Sequence, residues 1–417
     1  MAFITNKRKI INDPVYGFIS IPDDLIYDIV GHQWFQRLRN IKQLGLTSFV
    51  YPGANHSRFQ HCLGALYLME SALATLKSKN VEISDREEQA ALVAILLHDI
   101  GHGPFSHALE TSLINGIDHE ALSLLLMEHM NETFGRRLDL AIEIFKGTYN
   151  RRFLHELIAG QMDMDRLDYL KRDSFFTGVI EGSVGSDRII RMLNVVDGRL
   201  VIDEKGIYSV EKFLIARRLM YWQVYMHKTV LSSEGLLVNV LARAKELAMQ
   251  GVDLYATPAL RFFLYNNIGQ AELENRGVFT PALIAANFTR LDDSDILSSA
   301  KYWADHDDPV LADLAGRLIS RNLFAVELQN RPFPEDRIEE LREKARVMMK
   351  IDQQNSKYYI FTDSISNLTY APDAPEVRIL LKNGKTAGIR EVSDMFDHDL
   401  LSEKVTKYFL CYPKELR

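Results

Sequence analysis

ALVAILLHDIGHGPFSH, residues 91–107, is the stretch from which the rest of the chain is read. Seven apolar residues, Ala91 to Leu97, run without interruption into His98-Asp99. Such a run reads as a helix buried on every side. Gly101 to Pro104 then breaks it, with His102 inside the break and His107 three residues beyond it. An isolated His-Asp pair at a helix end is commonly no more than a hydrogen-bonded terminus. Here three of the chain's twelve histidines fall within ten residues, and that crowding points to a metal. Imidazole nitrogen with carboxylate oxygen suits divalent Zn, Mn, Fe or Mg. Two adjacent ligands cannot complete a coordination shell, so the others must come from elsewhere in the chain.

His61 and Asp165 are the candidates. In SRFQH, Arg58 and His61 lie three residues apart and share a helix face. In MDMDRLDYLKRD, Asp165, Tyr169 and Asp173 fall at i, i+4 and i+8, again on one face. That face presents either two carboxylates and a phenol to one site or a solvated stripe paired with Arg166 and Arg172. Periodicity does not choose between the two. His119-Glu120, just before the apolar ALSLLLM run, is either a helix start or a histidine steadied for acid catalysis. Neither it nor His155-Glu156 makes the zinc-protease HExxH pattern, because the fifth residues are Ser123 and Ala159. GKT at 384–386 is no phosphate loop, since Ile379 stands where a glycine is required.

The frame around these residues is that of an ordinary globular chain. It has 417 residues, 47% of them hydrophobic and 25% charged, enough for a sizeable core and more than one domain. A formal net charge of −7 argues against nucleic acid as the main partner. Two cysteines in unrelated contexts offer no disulfide framework. No signal-like segment or membrane-length apolar run stands out, and a cytoplasmic location is expected.

Residues 8–22 read as a hairpin turning at Asn12-Asp13-Pro14, and Asp23-Asp24 as a helix start. A helix is expected to carry Phe35, Leu38, Ile41 and Leu44 up to Gly45. Others are expected over 55–79, from Ser84 into the opening stretch, and over 119–134, 136–146 and 151–175. Gly178 to Gly185 reads as a loop, and Asp197-Gly198 as the turn of a strand pair. Helices return over 208–231, 233–250, 256–267 and on to 349. KYYIFTD, VRILLKNGK and KYFLCYP read as strands, and SDMFDHDLLSEKV as a helix. The expected architecture is mainly α with a few short strands, as residues 1–350 followed by a small α+β module over 351–417.

The ordered blocks NDPVYG, FQRLRNIKQLG, YPGANHSRFQHCLG, LLHDIGHGPFSH, DHE and DMDRLDYLKRD carry a resemblance. Over residues 9–230 the chain resembles the HD-domain superfamily. It is most similar to the deoxynucleoside triphosphate triphosphohydrolase branch, which holds the bacterial dGTP triphosphohydrolases and the vertebrate SAM-and-HD-domain enzymes. The resemblance implies an HD helical bundle. It also implies metal-dependent hydrolysis of a deoxynucleoside triphosphate, dGTP in type, to deoxynucleoside and inorganic triphosphate. It makes His61, His98, Asp99 and Asp165 the metal ligands. His102, His107 and His119, with Glu120 beside them, match residues around the α-phosphate that act in acid catalysis. Arg58, Arg166, Tyr169, Asp173 and Arg217 match positions that grip triphosphate and sugar, with Arg172 as further positive charge. Gln43 and Leu44 match residues packed on the deoxyribose.

The resemblance further implies a homo-oligomer and a nucleotide activator near Lys9, Gln36 and Arg39. Gly31 stands where the family's aspartate reads guanine at that activator site, and Arg166 where the vertebrate enzymes carry lysine. The same ligand set would also serve an HD phosphohydrolase acting on monophosphates or signalling nucleotides. A non-catalytic nucleotide- or nucleic-acid-binding regulator on the same fold is the remaining alternative.

Overall fold

The computed structural model describes residues 9–367, 376–395 and 405–417, without the side chains of His107, Glu110, Thr111, Asn115 and Asn367. The fold is mainly helical, with short strands at its margins and a small α+β module at its C-terminal end. Among the described residues no helix is long and apolar enough to cross a membrane.

Two helices make the frame of the centre. Arg58–Ser78 starts at Ser57, whose backbone N–H donates to Gln60 Oε1 at 2.9 Å. Asp85–Leu97 starts at Ser84, capped reciprocally with Glu87. Every residue from Ala90 to Leu97 is buried, as an apolar run enclosed on all sides requires. Truncating one of these, Leu96→Ala for example, carries a cavity cost of about 2–5 kcal/mol. The helices pack on each other, and Met164–Thr177 packs across the first of them. Gly64 is the crossing point: a Cβ there would lie 1.9 Å from Asp168 Oδ1. Met164–Thr177 itself is capped by Asp163, which accepts from the Arg166 N–H at 2.7 Å, and ends at Gly178 with φ of +75°.

The hairpin forms between Ile10–Asp13 and Gly17–Ser20. Its turn lies just beyond the expected residues, because Asp13 Oδ1 accepts from the N–H groups of both Val15 and Tyr16. Asp197-Gly198 does turn Leu193–Val196 back onto Arg199–Asp203, with both residues at positive φ.

Three expected helices are interrupted, and each interruption has a tertiary cause. The one through Phe35 to Leu44 is a short helix Gln33–Gln36 followed by tight turns at Arg37–Asn40 and Gly45–Phe49. Arg37 is drawn into the core, donating to the carbonyls of Ile100, His102, Phe288 and Leu291. The helix over 151–175 divides into Arg152–Glu156 and Met164–Thr177, because Asp163 caps the second instead of continuing the first. The helix over 208–231 ends at Met220 and widens into a π-turn, Tyr221–Tyr225, before Lys228–Met249 begins.

The C-terminal strands join the body directly. Val405–Tyr412 pairs antiparallel with both Ala325–Gln329 and Phe361–Asn367. Arg378–Leu380 lies parallel to Arg199–Asp203. Most of the expected helix SDMFDHDLLSEKV falls in 396–404, outside the described residues.

Candidate active site

His61 stands in the first turn of Arg58–Ser78, and His98-Asp99 follow the last residue of Asp85–Leu97. Each is fixed by its own helix cap and by the packing of the two helices. The break that follows is pinned to the helix His119–Thr133. Gly101 N–H donates to Ser123 Oγ at 2.9 Å, and Ser123 Oγ donates to the His98 carbonyl at 2.7 Å. A Cβ on Gly101 would lie 2.2 Å from Ser123 N, so only glycine permits this approach.

Three ligand atoms, from His61, His98 and Asp99, lie within 4.8 Å of one another and are buried. His61 Nε2 is 3.2 Å from His98 Nε2. Asp165 Oδ1 lies 3.1 Å from the first nitrogen and 3.5 Å from the second. Asp99 Oδ1 is 3.4 Å from His98 Nε2, and Asp99 Oδ2 is 3.7 Å from His61 Nε2.

The outer nitrogens fix the tautomers. His98 Nδ1 faces the Ile95 carbonyl at 2.6 Å, which can only accept, so Nδ1 carries the proton. His61 Nδ1 faces the Asp168 carboxylate at 2.7 Å and donates in the same way. Each neutral ring therefore turns a bare Nε2 lone pair toward the other and toward two carboxylates. That arrangement repels itself unless a cation or extra protons lie between the donors. Ligands held at about 2.0–2.1 Å by one ion lie about 3.0–3.4 Å apart, close to the separations found. The donor set fits a divalent metal. HD domains bind such ions, and His61, His98 and Asp99 form a group able to hold one.

Without the ion, protons take its place. Burial alone would push the His61 imidazole down, but its hydrogen bonds to Asp165 and Asp168 outweigh burial and hold it at about 10. His98 is likewise raised, by Asp99 and Asp165 against burial. Burial works the other way on Asp165, yet the two imidazoles hold it well below the usual carboxylate range. Asp99 is lowered despite burial by His102, His98 and Arg58, whose Nη1 lies 2.6 Å from its Oδ2. His102 is pushed down to about 3, by burial first and then by Arg58. Its Nε2 is 3.2 Å from Asp99 Oδ1 and its Nδ1 2.8 Å from Ser106 Oγ. The ring stacks on His119 with centroids 3.9 Å apart.

A cavity of about 1170 Å³ opens above these groups. Gln43, Leu44, Arg58, His98, Asp99, His102, His119, Glu120, Asp165, Arg166, Tyr169, Asp173 and Arg217 all line it. His61 lies fully buried beneath. His107 sits in the short helix Ser106–Ser112, and its side chain is outside the described residues.

Arg172 departs from the expected positive charge of the cavity. It is fully buried on the other side of Met164–Thr177, ion-paired to Asp168 at 2.9 Å and to Asp13 at 2.8 Å. It is one position out of phase with Asp165, Tyr169 and Asp173, and so faces Arg58–Ser78. Asp173 reaches the cavity but is already held by His56 Nε2 and by the Tyr225 hydroxyl, each at 2.7 Å.

The sequence reading missed Asp168, His56, Tyr225 and Arg37. Asp168 had a signal, an i,i+4 spacing to Arg172 that predicts an ion pair. The π-turn that brings Tyr225 to Asp173 had none. Lys9 and Arg39 are exposed: Lys9 lies over the Tyr27 ring, and Arg39 over the Phe59 ring while donating to Gln36 Oε1 at 2.7 Å.

Comparison with known proteins agrees with this geometry. The family model of the HD domain matches residues 58–173, and that of the HD associated region matches 184–255. The uncharacterized protein YwfO of Bacillus subtilis is 33% identical, across 99% of this chain and 93% of its own length. The deoxynucleoside triphosphate triphosphohydrolase SAMHD1 homolog of Dictyostelium discoideum is 32% identical over 58% of this chain and 50% of its own. For human deoxynucleoside triphosphate triphosphohydrolase SAMHD1 the values are 30%, 54% and 42%. The chain thus spans about half the length of these SAMHD1 relatives. Among solved structures, a phosphohydrolase from Bacteroides thetaiotaomicron superposes with a TM-score of 0.93 at 55% identity, covering 97% of this chain and 99% of that one. Converging donors, matched family models and a near-complete structural counterpart lead to one assignment: the chain belongs to the HD-domain phosphohydrolases.

Proposed function

We propose that this chain is a deoxynucleoside triphosphate triphosphohydrolase, dGTP in type, releasing a deoxynucleoside and inorganic triphosphate. The observation that carries the reading is the combination of one donor cluster with arginines lining the same cavity. His61, His98, Asp99 and Asp165 would hold the divalent ion, Mn, Mg, Fe or Zn. When bound, that ion supplies a water of lowered pKa and a counter-charge for a phosphate oxygen.

The remaining work falls to the chain. Arg58, Arg166 and Arg217 offset polyphosphate charge with planar donor forks. Arg166 is itself oriented by an ion pair to Asp163 and by donation to the Gly160 carbonyl at 2.8 Å. Hydrolysis forms one bond from the water oxygen to the α-phosphorus and breaks the bond from that phosphorus to the 5′ oxygen. The departing oxygen needs a proton. His119 and His107 are the proposed donors, with Glu120 beside the first. His102, pushed down by burial and by Arg58, stands with them near the α-phosphate and also orients Asp99. Tyr169 stands as a flat surface for the sugar against a 2′-hydroxyl, with Gln43, Leu44 and Asp173 around the deoxyribose.

The reading extends to a homo-oligomer, to an activating nucleotide near Lys9, Gln36 and Arg39, and to residues 351–417 as an accessory module. The test is a panel of dNTPs, NTPs and NMPs with Mn or Mg, with products separated by chromatography. Inorganic triphosphate from dNTPs is expected. Orthophosphate or pyrophosphate as product, or turnover of monophosphates alone, would replace the reading with that of another nucleotide phosphohydrolase.

A further inference from the structure

The cavity has two walls of different character. The helices Met164–Thr177 and Ile207–Met220 supply Arg166, Tyr169 and Arg217. A second part of the lining gathers Leu44, Leu46 and Phe105 around Leu237 of the helix Lys228–Met249 in a largely apolar surface. One acid, Glu234, sits in that surface. It lines the cavity one turn before Leu237, and among the described residues it has no ion pair and no hydrogen bond. Burial, with no neighbouring charge to oppose it, pushes its carboxyl up to about 7. Partly buried among apolar side chains and unpaired, this carboxyl faces the cavity with acceptor capacity that no described group of the protein uses.

The helix that carries it cannot easily turn it away. Ser232 Oγ donates to the Phe324 carbonyl at 3.0 Å, and Asn239 Nδ2 to the Tyr358 carbonyl at 3.1 Å. A Cβ on Gly235 would lie 2.5 Å from the Phe361 ring. The C-terminal strands therefore buttress the helix from behind. On the cavity side, Gln43 Oε1 is buried without a partner.

We propose that Glu234 reads the base of the bound nucleotide, accepting from two adjacent N–H donors, and so selects guanine. The inference rests on the reading of the cavity as a deoxynucleotide site. Triphosphate belongs on the arginine wall, which leaves the flat, largely apolar base for the wall of Leu44, Phe105 and Leu237. Among the common bases, guanine alone places a ring N–H beside an exocyclic amine on its pairing edge, which matches a carboxylate in bidentate fashion. Adenine and cytosine set an acceptor next to their amine and would leave the acid unpaired. Thymine has a single N–H between two acceptors. A bidentate pair of this sort is expected to discriminate about tenfold or more in the ratio measured, which is about 1.4 kcal/mol or above.

The test uses the full chain, wild type and Glu234→Gln, an isosteric change. First, kcat/KM is measured for the four dNTPs with Mn. Second, calorimetry measures binding of deoxyguanosine, deoxyinosine and deoxyadenosine, which needs no turnover. Wild type is expected to favour guanine at least tenfold in both, with deoxyinosine, which lacks the amine, bound about tenfold more weakly than deoxyguanosine. In Glu234→Gln the guanine-to-adenine ratio falls at least tenfold. Equal affinity for deoxyguanosine and deoxyinosine, or an unchanged base ranking in Glu234→Gln, overturns the proposal. The inosine comparison decides the matter on wild type alone if the variant does not fold. Triphosphate release from all four dNTPs without preference removes Glu234's role and leaves the reaction standing. A guanine preference in binding with no triphosphate from any dNTP does the reverse.

Discussion

The helix Met164–Thr177 has two charged faces, and they differ in whether the protein itself completes them. On the inner face, Asp168 accepts from Arg172 Nε at 2.9 Å and Nη2 at 3.0 Å and from His61 Nδ1, while Arg172 also reaches Asp13. Every charge there has an opposite partner. On the cavity face, Asp165 meets two imidazole nitrogens that also face Asp99 and each other. Four residues converge there, and without added protons none supplies a positive charge between them. A satisfied network makes structure, and an unsatisfied convergence awaits a ligand. One ring joins the two, since His61 gives its Nδ1 to the inner face and its Nε2 to the outer.

The comparison can be broken most sharply at Asp165. Asp165→Ala is expected to lower kcat/KM more than about 100-fold, beyond the 10–100-fold loss usual for groups behind the metal ligands. Its effect on unfolding in denaturant should be smaller than that of Asp168→Ala. That second change removes one partner of a buried pair, and a loss of about 3–5 kcal/mol is expected in the same titration. It also frees the His61 ring, so metal affinity measured by competition with a chelator should fall about 10–100-fold.

Gly64→Ala acts on the inner face alone. Its Cβ would intrude on Asp168 and Arg172, and a loss of about 1–3 kcal/mol is expected, with residual metal binding retained.

The gentlest perturbation is pH on the chelated protein. Folding raises His61 from 6.5 to about 10, so its contribution is complete below pH 6.5 and is lost as pH rises toward about 10. The melting temperature of the metal-free protein should drop by a few degrees between pH 7 and pH 9. Metal should flatten that slope, and its binding should release protons, read by calorimetry in buffers of different ionisation enthalpy.

Much of this was legible in the sequence because it is local. The helix start at Ser84, the apolar run Ala91–Leu97 and the i,i+4 spacing of Asp165, Tyr169 and Asp173 each express one helix at a time. The three broken helices were not legible, because their causes lie far away in the chain. Arg37 looks like any surface arginine of an amphipathic segment until carbonyls more than 250 residues on, at Phe288 and Leu291, are seen to accept from it. Arg172 was misread for a related reason: spacing shows which residues share a face but not which face meets the core. Gly64 carries that information, but only once the crossing of the two helices is known. The crowding of histidines marked His98-Asp99, and His61 and Asp165 stood as candidates; the family resemblance made the four one ligand set, and their convergence supplies a physical reason for the grouping.

The most direct measurement is the metal content of the purified wild type, Asp165→Ala and Asp168→Ala, after equilibration with Mn and removal of free ion. The account predicts about one ion per wild-type chain. It predicts essentially none for Asp165→Ala, and a weaker site for Asp168→Ala that fills as Mn is raised. Equal metal in wild type and Asp165→Ala would contradict it, since the cavity face would then be one more self-contained ionic network.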